Sequence, residues 1–117
     1  MDIEDFNARW LKAWSAKDVP ALLAFYSEDC VYKDNQTAAG ITGHEALRTY
    51  LTGLFAAMPA TTYTPDETWP IAGGYCGRWY AEMGEGGSAG RMRGFDLVIL
   101  EGDRIALNEV YVHPMPA

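Results

Sequence analysis

The period of the hydrophobic pattern changes once along the chain, near residue 60, and no other feature limits the possible folds as much. Before that point Ile3, Phe6, Trp10, Ala13 and Trp14 recur at helical spacing, which predicts an amphipathic helix over roughly 3–16. Asp18 can cap a second helix with Pro20 in its first turn, carrying Leu22, Leu23, Phe25 and Tyr26. Thr42-Gly43-His44-Glu45 reads as a capping box that opens a third helix. That helix places Ala46, Leu47, Tyr50, Leu51, Leu54 and Met58 on one side, and Pro59 stops it. Between the second and third helices, Cys30 to Asn35 predicts a short strand. After residue 60 the pattern is that of strands, near 61–71, 75–84, 91–101 and 104–113. Turns are expected at Gly73-Gly74, over Gly84 to Gly90, and at the tight Glu101-Gly102-Asp103 hairpin. Three helices followed by a four-strand meander indicate α+β architecture. The expected form is a cone-shaped, curved antiparallel sheet packed on helices from the N-terminal half, enclosing a pocket. A length of 117 residues fits one domain, 1–117.

Composition narrows the function classes. The formal net charge is −7, and among the scattered basic residues only Arg91 and Arg93 lie close together. A nucleic-acid binder needs a basic footprint, so no nucleic acid is expected as a partner, and an anionic membrane surface is disfavoured for the same reason. No apolar run approaches membrane-spanning length, and the acidic start Met1-Asp2-Ile3-Glu4-Asp5 lacks an apolar signal core. The two cysteines, Cys30 and Cys76, form no CxxC or Cys/His cluster. No metal site is expected, and the chain reads as cytoplasmic with both thiols reduced. There is no nucleotide fingerprint, so no cofactor is expected. Four Trp and seven Tyr are a generous supply of large amphipathic rings, suited to a pocket for a small, mostly apolar molecule.

Two carboxylates stand out. Asp34 shares a strand face with Cys30 and Tyr32. If that face looks inward, desolvation raises its pKa and makes it a usable base; otherwise it is an exposed Asp capping a turn. Asp96 interrupts the apolar run Phe95-Asp96-Leu97-Val98-Ile99-Leu100. It must reach solvent or find a partner, and Arg91 or Arg93 could supply one. On the last strand Asn108, Val110 and Val112 share one face, and Glu109, Tyr111 and His113 the other. His44, in the first turn of a helix, and His113, near the chain end, are expected at the surface.

The order and spacing of several strings resemble the nuclear transport factor 2-like superfamily, which includes ketosteroid isomerases, SnoaL-like polyketide cyclases and limonene-epoxide hydrolases. The strings are Trp10 to Asp18, Phe25-Tyr26-Ser27-Glu28-Asp29, the strand ending at Asp34, Thr42-Gly43-His44-Glu45-Ala46-Leu47, and Leu100-Glu101-Gly102-Asp103-Arg104-Ile105. The resemblance covers nearly the whole chain. It implies Asp34 as general base, Asp96 as a protonated donor to a developing oxyanion, and Tyr26 as a supporting hydroxyl. It also turns the Asn108 and Val110 face inward, with Trp79, Ala81 and Met83 forming a wall and Trp10, Trp14, Tyr32 and Leu54 completing the lining. The chain departs from the isomerases at Trp10, where they carry an oxyanion Tyr. It departs from the epoxide hydrolases at Arg78-Trp79-Tyr80, where they need Arg-x-Asp, and at Val110, where they need Asp. What the resemblance implies is a cofactor-independent isomerase or cyclase that moves a proton beside the carbonyl of an apolar cyclic compound. The alternative is a non-catalytic small-ligand-binding or protein-interaction module. A homodimer through the outer sheet face is expected in either case.

Overall fold

The computed structural model describes residues 1–116. Helix α1 (Ile3–Ala16) starts at Asp2, whose side chain accepts the Asp5 amide at 3.0 Å. It ends at Lys17, a non-glycine residue at φ +54. The Lys17 ammonium then donates to the Phe55 and Met58 carbonyls, at 3.0 and 2.6 Å. These are acceptors that the last turn of helix α3 (His44–Ala57) leaves without partners, so one side chain joins the C-terminal ends of two helices.

Helix α2 (Val19–Leu23) is capped by Asp18 with a proline in its first turn, as expected, but it is a single turn. Tyr26 is not on it. Tyr26 opens strand β1 (Tyr26–Lys33), which begins four residues earlier than the pattern predicts. Local spacing alone would have continued the helix. Burying the Tyr26 ring edge-on against Trp10, and pairing the strand with the end of the chain, overrides it. The capping box is also replaced. Thr42 belongs to the two-residue strand β2 (Ile41–Thr42), and Gly43 is the N-cap of α3 at φ +91, with no side-chain cap bond. The Gly43 amide instead donates to the Cys30 carbonyl at 2.9 Å, in a backbone conformation that glycine adopts freely.

The second half forms the expected meander: β3 (Thr61–Ile71), β4 (Gly74–Met83), β5 (Gly90–Glu101) and β6 (Arg104–Met115), with a 3₁₀ turn at Glu85–Gly87 between β4 and β5. The six strands make one curved sheet in the order β2-β1-β6-β5-β4-β3. The early strand β1 therefore joins the last strand, not the first, and runs parallel to it. That pairing brings residue 34 beside the 109–112 stretch of β6. Helix α1 lies on the concave face against β3, where Ser15 accepts the Tyr63 amide at 2.9 Å. Among the described residues no helix is long and apolar enough to cross a membrane.

Gly94 on β5 sets the wall of the fold's interior. It pairs with Trp79 across the β4–β5 ladder, and a Cβ built there would sit 2.0 Å from the indole of Trp79. The missing side chain is the space that the ring occupies. Gly94→Ala is expected to displace Trp79 and destabilise the chain by about 1–3 kcal/mol, the cost of overpacking a filled interior. Chemical denaturation followed by Trp fluorescence measures it, and an unchanged midpoint would show that the ring can move away without penalty.

Candidate functional site

The curved sheet and the helices enclose a cavity of about 240 Å³. Helix α1 gives it Trp10, Leu11 and Trp14, and α3 gives Tyr50, Leu54 and Met58. Tyr32 and the turn Asp34-Asn35-Gln36 form its rim, while Tyr63, Trp79, Met83, Met92, Asp96, Val110 and Val112 come from strands β3 to β6. Seven elements separated in sequence thus converge on one space. No group of three His, Cys, Asp or Glu side chains among the described residues is placed to hold a metal ion.

Asp96 is the chemical centre. It is 3% exposed and lies across the ladder from Gly77 on one side and Val110 on the other. Oδ2 accepts the Trp79 indole N–H at 3.1 Å, and Oδ1 is buried without a partner. Burial pushes the carboxyl up to about 8, opposed only by the Trp79 hydrogen bond. Asp96 is therefore protonated at neutral pH and has one oxygen free to give or take a proton. Neither arginine reaches it. Arg91 pairs with Glu82 at 3.7 Å and Arg93 donates to His113 at 3.1 Å, because odd-numbered β5 residues point away from the cavity.

Asp34 also lines the cavity, but its pKa is shifted in the opposite direction to the one expected. Burial by itself raises its pKa, yet hydrogen bonds from Tyr50, the Gln36 amide, Tyr32 and Thr37 outweigh burial and hold it below the usual Asp value. Tyr50 and Tyr32 donate to Oδ2 at 2.5 and 3.0 Å. The Gln36 amide, the Thr37 amide and the Thr37 hydroxyl donate to Oδ1, at 2.8, 3.0 and 3.0 Å. The cavity thus holds one acid kept neutral by dry surroundings and one kept ionised by donors.

The remaining expected site residues divide into two sets. Trp10, Trp14, Tyr32, Leu54, Trp79, Met83 and Val110 line the cavity. Tyr26, Asn108 and Ala81 do not. Tyr26 donates to Asn108 Oδ1 at 2.9 Å, and Asn108 donates to the Leu97 carbonyl at 3.4 Å. This fully buried pair stands behind the lining, so Asn108 is corrected from a contacting to a supporting position, and Tyr26 holds Asn108 rather than donating into the cavity. Burial pushes the Tyr26 phenol well above its usual pKa, so it stays a neutral donor. His44 is half-buried, not free at the surface, and Nε2 donates to the Tyr26 carbonyl at 2.7 Å.

Tyr50 and Tyr63 are among the contributors that went unassigned in the sequence. Tyr50, visible only as one member of a helical stripe, is a donor to Asp34. Tyr63, in a strand whose alternation is otherwise polar and exposed, packs on Trp79 at 5.0 Å between ring centroids. Trp10 lines the cavity and is 1% exposed, but its indole N–H is directed at the Tyr26 hydroxyl, where it opposes the upward push of burial on that phenol.

The sequence profile of the SnoaL-like domain matches residues 7–108. No protein of curated function matches the chain in sequence. Among solved structures, a ketosteroid isomerase-like fold from Catenulispora acidiphila in complex with trimethylamine superposes with a TM-score of 0.75 at 16% identity, over 91% of this chain and 83% of that one. A putative ketosteroid isomerase from Kribbella flavida gives 0.74 at 12% identity, over 97% and 82%. TerC, co-crystallised with polyporic acid, gives 0.78 at 9% identity, over 94% and 90%. These similarities establish the fold.

The raised pKa of Asp96 has a thermodynamic consequence with a definite sign. The folded chain keeps this proton up to about pH 8, while the unfolded chain releases it near pH 4. Folding is therefore progressively disfavoured as pH rises between those values, and the effect levels off above about 8. Asp96→Asn removes that dependence. The variant is expected to gain on the wild type with rising pH, reaching on the order of 2–4 kcal/mol at alkaline pH. Urea unfolding of both proteins from pH 4 to 9 tests this, and parallel stability curves would mean that Asp96 is ionised in the folded chain.

Proposed function

The chain belongs to the SnoaL-like domain family, and we propose that it is a cofactor-independent enzyme moving a proton beside the carbonyl group of a small, mostly apolar cyclic compound. The observation that carries this reading is a neutral, buried Asp96 in the lining of an apolar cavity, with its Oδ1 unpartnered. In its protonated form it donates to a carbonyl oxygen. Charge that develops there as the neighbouring C–H bond breaks is stabilised in a largely apolar site. The proton leaves to Asp34, the ionised group in the lining.

Base strength then selects the substrate. Five hydrogen bonds make Asp34 a weak base, so it matches a carbon acid already activated by more than one carbonyl, and not a simple ketone. The cavity volume of about 240 Å³ lies below the usual range of roughly 300–1,000 Å³ and favours a ligand of one or two rings. The trimethylamine and polyporic acid in two structurally similar proteins support a small-molecule occupant. A binding module without turnover is the second reading. It is favoured by the hydrogen bonds that tie up Asp34.

The dimer expected from the sequence is also proposed. Trp69 and Phe95 meet at 5.8 Å on the convex sheet face beside Tyr111, which is 62% exposed, and this apolar strip suits a second copy of the chain. Light scattering is expected to give twice the chain mass, and Phe95→Glu to return it to the monomer; a monomeric wild type at micromolar concentration would rule the dimer out.

Hydrogen–deuterium exchange at the carbon between the two carbonyls of 2-acetylcyclohexanone, a 1,3-diketone that stays neutral near pH 7, followed by NMR, tests the enzyme reading. The wild type is expected to accelerate it, and Asp96→Asn to lose about 10²–10³-fold. Activity should decline as pH rises through about 8, where Asp96 loses its proton. It should also decline in acid as Asp34 takes one up, below the ordinary Asp range. Exchange no faster than in buffer leaves the binding module in its place.

A further inference from the structure

The cavity has a charge preference that proton transfer does not require. Its lining holds two carboxyl groups and no lysine, arginine or histidine. Lys33, the residue before Asp34, is directed to Glu109 at 3.6 Å and does not line it. Between the two carboxyl groups runs an unbroken ladder of rings. Tyr50 meets Tyr32 at 5.7 Å, Tyr32 stacks on Trp14 at 6.4 Å, Trp14 meets Tyr63 at 5.9 Å, and Tyr63 meets Trp79 at 5.0 Å between centroids. Hydrogen bonds from Tyr50 and Tyr32 to Asp34 close one end, and the bond from Trp79 to Asp96 closes the other. Asp96 Oδ1 stays buried and without a partner at that end.

An anion entering here would find no counter-charge. It would meet a carboxylate and the negative faces of aromatic rings, and would lose its hydration for nothing in return. A cation meets the reverse arrangement, with a carboxylate at one side and π-faces around it. The form of the cation follows from Asp34. Its two oxygens already accept five hydrogen bonds, from Tyr32, Tyr50, the Gln36 amide and both donors of Thr37. The charge is present, but the positions for a new N–H donor are taken. An ammonium whose hydrogens are replaced by alkyl groups needs no such position and sheds its water more readily than a primary amine.

We propose that the ligand of this cavity carries an alkylated ammonium group, seated beside Asp34 against Tyr32, Tyr50 and Trp14. The proposal rests on the cavity being a ligand site, which an enzyme and a binding module share, and not on turnover.

Three probes decide it, titrated into the full chain by calorimetry and by quenching of its Trp fluorescence: benzyltrimethylammonium, its uncharged carbon isostere neopentylbenzene, and phenylacetate. The cation is expected to bind at least about tenfold more tightly than the isostere, with phenylacetate weakest. Asp34→Asn is expected to remove most of that advantage and to spare binding of the isostere. Should the variant not fold, the wild-type order of the three affinities decides alone. An isostere or phenylacetate that binds as tightly as the cation overturns the ammonium proposal and leaves the functional reading standing. Failure of all three to bind, while diketone exchange is still catalysed, overturns it as well. Silence in both assays removes the ligand site altogether.

Discussion

A carboxyl group with one oxygen bonded to an indole and the other to nothing is costly to bury, and much of this chain serves to keep Asp96 in that position. The cost is bearable because the group stays protonated. A neutral carboxyl loses far less on leaving water than an anion does. Trp79 supplies the one hydrogen bond, and Gly94 supplies the space in which the Trp79 ring lies. Behind them the Tyr26–Asn108 pair satisfies its own polar groups and adds no charge to the chamber. Stability is given up locally, and a proton donor poised close to neutral pH is what the arrangement yields.

Asp34 is arranged by the opposite means. It is a carboxylate at the end of a strand whose oxygens are filled by two phenols, two backbone amides and a hydroxyl. The donors come from its own strand, from the turn that follows it and from α3, so the contacts that keep it ionised include one that fastens the helix to the rim of the cavity. Two aspartates in one chamber thus differ in protonation without interacting directly. Each state is set by its own surroundings, one by the absence of donors and the other by their number. The aromatic ladder between them is both packing and surface. Its rings contribute to the core and still present faces to the cavity, which ties the shape of the ligand site to the stability of the fold.

Much of this was legible in the sequence. The change from helical to strand period, the four-strand meander and the run of glycine turns fixed the α+β class, because side-chain period follows directly from backbone geometry. Asp96 was conspicuous for the same reason: a charged residue in an apolar run has few places to go. The misplaced elements were those in which local preference and long-range pairing disagree. Tyr26 continues a helical stripe by spacing, yet it starts a strand because β6, almost eighty residues on, offers it a partner and Trp10 offers its ring a surface. Thr42 has the chemistry of a helix cap, yet it pairs with Val31, and the cap falls to Gly43.

The amino-acid order alone determined the architecture, the superfamily resemblance, most of the cavity lining and the identity of both acids. It could not determine in which direction the pKa of Asp34 moves. That depends on how many donors arrive from elsewhere, and the decisive one, Tyr50, lies sixteen positions away on a helix whose rotation is set by packing. Nor could it separate Trp10, which reaches the cavity, from Asn108, which stops behind the wall, since residues that share a strand face or a core can lie at different depths. Periodicity tells a side chain which way to point. Only the folded chain decides what it meets there, and the protonation of a buried group is a property of that meeting.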